Sequence, residues 1–139
     1  MLTIESTLAQ LLPSIQATLK EGGEYLLCPR GESMLPLIRP ARDSVYLVAP
    51  DKLKRHDVCL YQRENGQFVL HRLVKIEKDG TLTFRGDNQS AKERGIPQAA
   101  VIARVGAVLR DGKRVSPQKR LYLFTHIFAP ARLLRFGKI

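Results

Sequence analysis

The sequence lacks tryptophan and contains only two cysteines, Cys28 and Cys59. The cysteines do not form a CxxC pair, and no group of cysteine and histidine has the spacing of zinc ligands. We therefore expect no metal and no cofactor. We also expect two buried thiols, with a disulfide as the alternative, and a reducing compartment such as the cytoplasm.

Long apolar runs and acidic side chains are also scarce. No apolar stretch reaches the roughly 18 residues that span a bilayer, and the N-terminus does not resemble a secretory signal peptide. The sequence is therefore expected to lack a membrane anchor. Lysine and arginine number 23 against 13 aspartate and glutamate, which gives a net charge of +10. This excess favours an anionic partner, either nucleic acid or an acidic membrane surface.

The chain is long and apolar enough for one domain, since 44% of its 139 residues are hydrophobic. Residues 1–23 are predicted to form an N-terminal helix, because apolar side chains recur there at helical spacing and Gly22-Gly23 can end it. Pro13 is expected to kink or split this helix. Residues 24–116 are predicted to form a β-domain, followed by a basic helical tail at residues 117–139.

Within residues 24–116, short runs of β-forming residues alternate with tight turns. The turn signals are Asn65-Gly66, Asp79-Gly80 and Asp111-Gly112. Gly106 interrupts an apolar run and indicates a bulge or a close approach. This pattern predicts a mainly β fold, a twisted antiparallel sheet or partly closed β-barrel.

The tail combines basic residues with an apolar stripe and has no acidic side chain after Gly112. Four apolar residues can line one helical face: Leu121, Phe124, Ile127 and Phe128. A basic amphipathic helix can lie on an anionic membrane, so peripheral membrane contact is one expectation. The alternative is a helix docked on the sheet with its basic face in water.

Three polar residues of the β-domain have the chemistry of a nucleophile, a base and an orienting acid. Ser33 lies between Gly31 and Pro36, His71 follows it by 38 residues, and Asp87 follows His71 by 16. Gly31 is expected to adopt a conformation closed to other residues. The turn would then present the Ser33 hydroxyl beside N–H groups that can hold an oxyanion.

His71 is predicted to lie on a strand, where alternation places it on one face with Val69 and Leu73. Its unperturbed pKa of about 6.5 suits a base near neutral pH. Asp87 is expected to fix the His71 tautomer or, alternatively, to hold its own turn. If these side chains do not converge, they are ordinary polar residues of a basic β-domain.

Six segments, in order, resemble motifs of the superfamily that joins type I signal peptidases with LexA-like self-cleaving repressors. They are residues 31–36, 43–48, 56–61, 69–73, 86–88 and 103–108. His71 stands where bacterial signal peptidases have lysine, so the chain resembles the histidine branch, which includes the endoplasmic-reticulum type. This resemblance implies Ser33 as nucleophile, His71 as general base, an assisting Asp87, and small residues before the cleaved bond.

The resemblance also assigns supporting residues. It implies oxyanion and substrate contacts for Gly31, Met34 and Pro36, and support from Arg72 and Asn88. The chain departs from the family pattern in two places. His56 replaces a usual glycine, and residues 89–92 lack the second acid that often follows the Gly-Asp-Asn box.

The sequence thus predicts a serine endopeptidase that cleaves a peptide or leader sequence through a Ser-His dyad or a Ser-His-Asp triad. One alternative is a non-catalytic basic module that binds nucleic acid or an anionic membrane. Scattered basic residues and the lack of a base-reading motif argue against nucleic acid. The other alternative is a self-processing regulator with a flexible cut site at Gly22-Gly23.

Overall fold

The computed structural model of the chain describes residues 4–118. Within them lie one α-helix, eight strands and one turn of 3-10 helix. In chain order these are α1 (Ile4–Lys20), β1 (Tyr25–Leu27), β2 (Ser44–Val48), β3 (Val58–Gln62), β4 (Phe68–Ile76), β5 (Leu82–Arg85), β6 (Glu93–Ile96), the 3-10 turn (Gln98–Ala100), β7 (Val101–Arg110) and β8 (Lys113–Val115). The mainly β fold with an N-terminal helix is confirmed. Most of the predicted helical tail lies outside the described residues.

The eight strands form one antiparallel sheet in the order β1-β2-β7-β3-β4-β5-β6, with β8 paired to the end of β7. The sheet is not closed, because β1 and β6 lie at opposite ends of this order. The antiparallel sheet is therefore confirmed, and the described residues form an open sheet rather than a barrel.

Helix α1 packs its apolar face against the sheet, as its spacing predicts. Its buried and partly buried side chains join one core cluster: Leu8, Leu11, Leu12, Ile15 and Leu19. Pro13 lies inside the helix without ending it. The helix ends at a cap in which Gly22 has a φ of +83°, and Gly23 N–H donates to the Thr18 carbonyl at 2.9 Å.

The three predicted hairpin turns are confirmed. Asn65-Gly66 joins β3 to β4, Asp79-Gly80 joins β4 to β5, and Asp111-Gly112 joins β7 to β8. The glycine of each turn has a positive φ of +90°, +87° or +78°, a conformation that glycine adopts without steric cost. These turns explain why the sequence encodes an antiparallel meander here.

Gly106 marks a bulge, as its position in the apolar run predicts. Tyr46 of β2 pairs with Ala107 of β7, whereas the next residue, Leu47, pairs with Val105. Gly106 is therefore the extra residue on the bulged strand. The bulge bends β7 between its pairing with β3 and its pairing with β8.

The sheet buries a different core cluster on each face. Beneath α1 lie Ile15, Leu19, Met34, Val45, Leu47, Val58, Leu60 and Phe68, among others. The second cluster contains Cys59, Tyr61, Val69, Leu73, Leu82, Phe84, Ile96 and Val101. Strand β4 contributes alternate residues to the two clusters, which confirms the predicted alternation and places His71 with the second cluster.

Candidate functional site

Ser33 lies in the loop that joins β1 to β2, and an arginine from β7 holds this loop in place. Nη2 of Arg110 donates to the carbonyls of Pro36 at 3.1 Å and Leu37 at 2.7 Å. Within the loop, Ile38 N–H donates to the Met34 carbonyl at 2.9 Å. The half-buried Ser33 therefore lies in a loop that is tied to the end of β7.

A buried carboxylate anchors the end of the same loop. Asp43 is fully buried and accepts hydrogen bonds from Arg39, at 2.8 Å from Nη2, and from Arg110, at 2.9 Å from Nη2. Burial alone would raise the pKa of the Asp43 carboxyl, but the hydrogen bonds from both arginines lower it to about 2. The carboxylate thus stays charged and keeps both arginines against the loop.

The turn at residues 86–88 packs directly on the Ser33 turn. Asn88 N–H donates to the Ser33 carbonyl at 2.8 Å, and Asp87 N–H points to Met34 Sδ at 3.4 Å. A Cβ added to Gly86 would lie 2.7 Å from the Ser33 carbonyl oxygen. The two predicted motifs therefore meet in space, and Gly86 permits their close contact.

Gly31 does not have the conformational role that the sequence suggested. Its φ is outside the positive range, and a Cβ added to it would meet no atom within 4 Å. The expectation that Gly31 needs a conformation closed to other residues is therefore wrong. The glycine whose missing Cβ permits a close contact is Gly86, whereas Gly31 lines the cavity next to Ser33.

Asp87 binds Arg72 through both carboxylate oxygens. The distances from Arg72 Nε and Nη2 to these oxygens are both 2.8 Å, and each side chain is 1% exposed. Arg72 also donates to the His56 carbonyl at 2.7 Å and the Pro117 carbonyl at 3.0 Å. Because Arg72 and His71 point to opposite faces of β4, this ion pair supports the expectation that Asp87 holds its own turn.

His71 is 6% exposed and its Nδ1 lies 3.5 Å from the hydroxyl oxygen of Tyr61. Burial, together with the positive charge of Arg63, lowers the pKa of the imidazole to about 4. The ring is therefore neutral near pH 7, the protonation state that a general base requires.

Glu93, on β6, is a site residue that sequence reasoning missed. Its Oε1 accepts a hydrogen bond from the Tyr61 hydroxyl at 2.6 Å, and its Oε2 lies 2.9 Å from Arg63 Nε. Burial opposes ionisation, but hydrogen bonds from Arg63 and Tyr61 outweigh it and lower the pKa of Glu93. The available signal was its position directly after residues 89–92, where a second acid was expected.

Ser33 and His71 line one cavity of about 880 Å³. Most of its other lining side chains are apolar, including Leu8, Leu11, Leu27, Met34, Ile38, Leu60, Phe68 and Leu70. Among residues 4–118, no hydrogen bond joins the Ser33 hydroxyl to the His71 ring. Catalytic pairs often have looser contacts without substrate, so the shared cavity is the relevant geometry.

Of the other histidine and cysteine side chains that the structure describes, only Cys28 lines the cavity. His56 has a left-handed φ of +81°, a conformation that glycine adopts more readily than other residues. His126 lies outside the described residues. Both cysteines are free, but the expectation that both are buried is wrong for Cys28, which is exposed at the cavity. Cys59 is buried, and burial raises its pKa to about 12.

Residues 4–118 also lack two features. No helix in this part of the chain is long and apolar enough to cross a membrane. The same residues contain no group of three or more His, Cys, Asp or Glu side chains that could hold a metal ion.

Comparisons with models of protein families, with curated proteins and with solved structures found no match to this chain. The resemblance to signal peptidases and LexA-like proteins therefore stays a prediction. It is based on the order of the sequence motifs alone.

Proposed function

We propose that the protein is a serine endopeptidase of the signal peptidase and LexA-like type, with Ser33 as nucleophile and His71 as general base. The observation that carries this proposal is the shared cavity. A half-buried serine hydroxyl and a buried, neutral imidazole line the same space, 38 residues apart in sequence. Hydroxyl and imidazole are the pair needed for nucleophilic acyl transfer.

An unpaired strand edge supports a peptide as the substrate. Strand β5 pairs with β4 only from Arg72 to Ile76, so residues 68–71 have no strand partner on that side within the described chain. These four residues line the cavity together with Ser33. An extended peptide can pair with such an edge through its backbone and place its side chains in the cavity.

The chemistry follows from these positions. His71 takes the proton of the Ser33 hydroxyl as its oxygen attacks the scissile carbonyl carbon, and then delivers that proton to the leaving amine. The acyl group stays on Ser33 until water, deprotonated by His71, releases it and restores the serine. Within residues 4–118 no hydrogen bond uses the Ser33 backbone N–H, so it is available to the oxyanion.

The alternative of self-processing at Gly22-Gly23 has less support. Both glycine N–H groups bond to carbonyls of α1, at 3.0 and 2.9 Å. Cleavage requires an extended backbone, whereas this pair is held in a helix cap. Binding of an anionic membrane through the tail concerns residues outside those the structure describes.

The test is cleavage of a library of extended peptides by the wild type and by Ser33→Ala and His71→Gln. We expect each substitution to reduce cleavage by at least about 100-fold, because each removes one member of the acyl-transfer pair. Labelling of Ser33 by an organophosphonate that reacts with activated serine hydroxyls provides a second measurement. Labelling does not require knowledge of the substrate.

Ser44→Ala is the matched control, since Ser44 is also half-buried but lies on β2 and does not line the cavity. It should cleave and label as the wild type does. Normal turnover by Ser33→Ala or His71→Gln, with the fold intact by circular dichroism, would contradict the proposal.

A further inference from the structure

We propose that Tyr61 and Glu93 are positioning residues that fix the His71 tautomer with the proton on Nδ1. This inference rests on the proposed function for its catalytic meaning, but its geometry stands on its own. The three side chains form a chain of contacts, from His71 Nδ1 to Tyr61 Oη at 3.5 Å and from Tyr61 Oη to Glu93 Oε1 at 2.6 Å.

The tyrosine has one proton, and its position decides the tautomer. A carboxylate can only accept, so the short Tyr61–Glu93 contact places the hydroxyl proton toward Glu93. The Tyr61 oxygen then offers a lone pair to His71, and the Nδ1 must donate. Because a neutral imidazole has one N–H, Nε2 is left with the free lone pair that a general base uses.

Neighbouring groups hold Tyr61 and Glu93 in this arrangement. The Tyr61 ring stacks on Phe84, with ring centres 4.3 Å apart. Arg63 donates to both oxygens of Glu93, at 2.9 Å from Nε and 3.0 Å from Nη2. Burial and the hydrogen bond to Glu93 raise the pKa of Tyr61, so the phenol keeps its proton.

In a catalytic triad the acid orients the base and stabilises its positive charge. Here Glu93 does both through the phenol of Tyr61. When His71 accepts the Ser33 proton it becomes a cation, and the Glu93 charge faces it through Tyr61. Asp87 also attracts that cation, whereas Arg63 repels it. Both Asp87 oxygens accept from Arg72, whereas the hydrogen-bonded contact of the His71 ring is with Tyr61.

The experiment is nitrogen-15 NMR of the histidine rings near pH 7, where the shifts of Nδ1 and Nε2 report which nitrogen has the proton. We expect the wild-type His71 to be protonated on Nδ1. In Tyr61→Phe and Glu93→Gln the populations should move toward a mixture of tautomers. Tyr46→Phe is the matched control, because its ring lies beneath Arg114 on β2, and two strands separate β2 from β4 in the sheet.

The tautomer measurement separates this inference from the proposed function, since it requires no substrate. A wild-type ring protonated on Nε2 overturns the inference, as does an unchanged tautomer in both variants. Glu93→Gln keeps the test decisive if Tyr61→Phe does not fold, because Glu93 is partly exposed. Where cleavage is observed, both variants should slow it by about 10- to 100-fold. A wild type with the Nδ1 proton and no peptidase activity contradicts the proposed function alone.

Discussion

Two arginine–carboxylate pairs flank the candidate site and differ in their surroundings. The side chains of Arg72 and Asp87 are each 1% exposed, and Asp87 belongs to the turn that packs on Ser33. Arg63 and Glu93 are 32% and 29% exposed and lie beside His71. The buried pair ties β4 to the turn that follows β5, whereas the partly exposed pair reaches His71 through Tyr61.

This difference in burial separates the carboxylate that holds the fold from the one that we propose orients His71. A buried charge without its partner is costly, so the Arg72–Asp87 pair must stay intact for the fold to persist. A half-exposed pair is partly solvated and contributes little stability. From the contact of Glu93 with Tyr61 we infer that Glu93 acts on the orientation of His71 instead.

The largest expected effect comes from Asp87→Asn, which leaves the Arg72 charge buried without its carboxylate. We expect the free energy of unfolding to fall by about 3–5 kcal/mol, as measured by urea denaturation with an unchanged slope. Glu93→Gln is the matched control and should lower it by no more than about 1 kcal/mol, because its partner remains hydrated. Equal losses in the two variants would remove the distinction between the pairs.

The second expected effect is acid destabilisation on the His71 side. The pKa of His71 is lowered by burial from 6.5 to about 4 in the folded protein. The unfolded chain therefore binds more protons between these values. The contribution of His71 to stability is fully present above pH 6.5. It is lost as the pH falls to 4, and the loss is about 3 kcal/mol for this one group.

Denaturant titrations at several pH values measure this loss. His71→Gln should flatten the curve between pH 6.5 and 4, while the acid loss tied to Asp43, whose pKa is about 2, remains below pH 4. His56→Asn measures the separate contribution of His56 to the acid loss, since burial lowers the pKa of His56 as well. A His71→Gln variant whose stability depends on pH between 6.5 and 4 as strongly as that of the wild type would contradict this prediction.

The local features of the fold could be predicted from the sequence, whereas its long-range contacts could not. Hairpin glycines, alternation along β4 and the helical face of α1 are local patterns, and the structure confirms each of them. The partner of Asp87 is not local. Arg72 and His71 are adjacent and point to opposite faces, so which of them meets Asp87 depends on how the turn after β5 folds.

Glu93 escaped sequence reasoning for a related reason. Strand β6 is short and polar, and it forms because Ile96 pairs with Leu82 and Glu93 pairs with Phe84 on β5. Nothing in the local pattern places that carboxylate next to Tyr61, 32 residues earlier in the chain. Gly31 and Gly86 show the same limit of prediction from local sequence. Gly86 is needed because it lies against Ser33, which is distant in sequence, whereas a Cβ on Gly31 would meet no atom within 4 Å.

The smallest expected effect tests the point where the Asp87 turn meets the Ser33 turn. In Gly86→Ala the new methyl group would lie 2.7 Å from the Ser33 carbonyl oxygen, so the two turns must separate. We expect a loss of about 1–3 kcal/mol, together with slower labelling of Ser33.

Gly31→Ala is the control within the same motif, since its methyl group meets no atom within 4 Å. It should change stability by less than about 0.5 kcal/mol and leave the labelling rate unchanged. The contrast is informative because the sequence pointed to Gly31 and the packing points to Gly86. A Gly31→Ala variant that loses more stability than Gly86→Ala would show that the Ser33 turn is held by its own backbone rather than by the turn at residues 86–88.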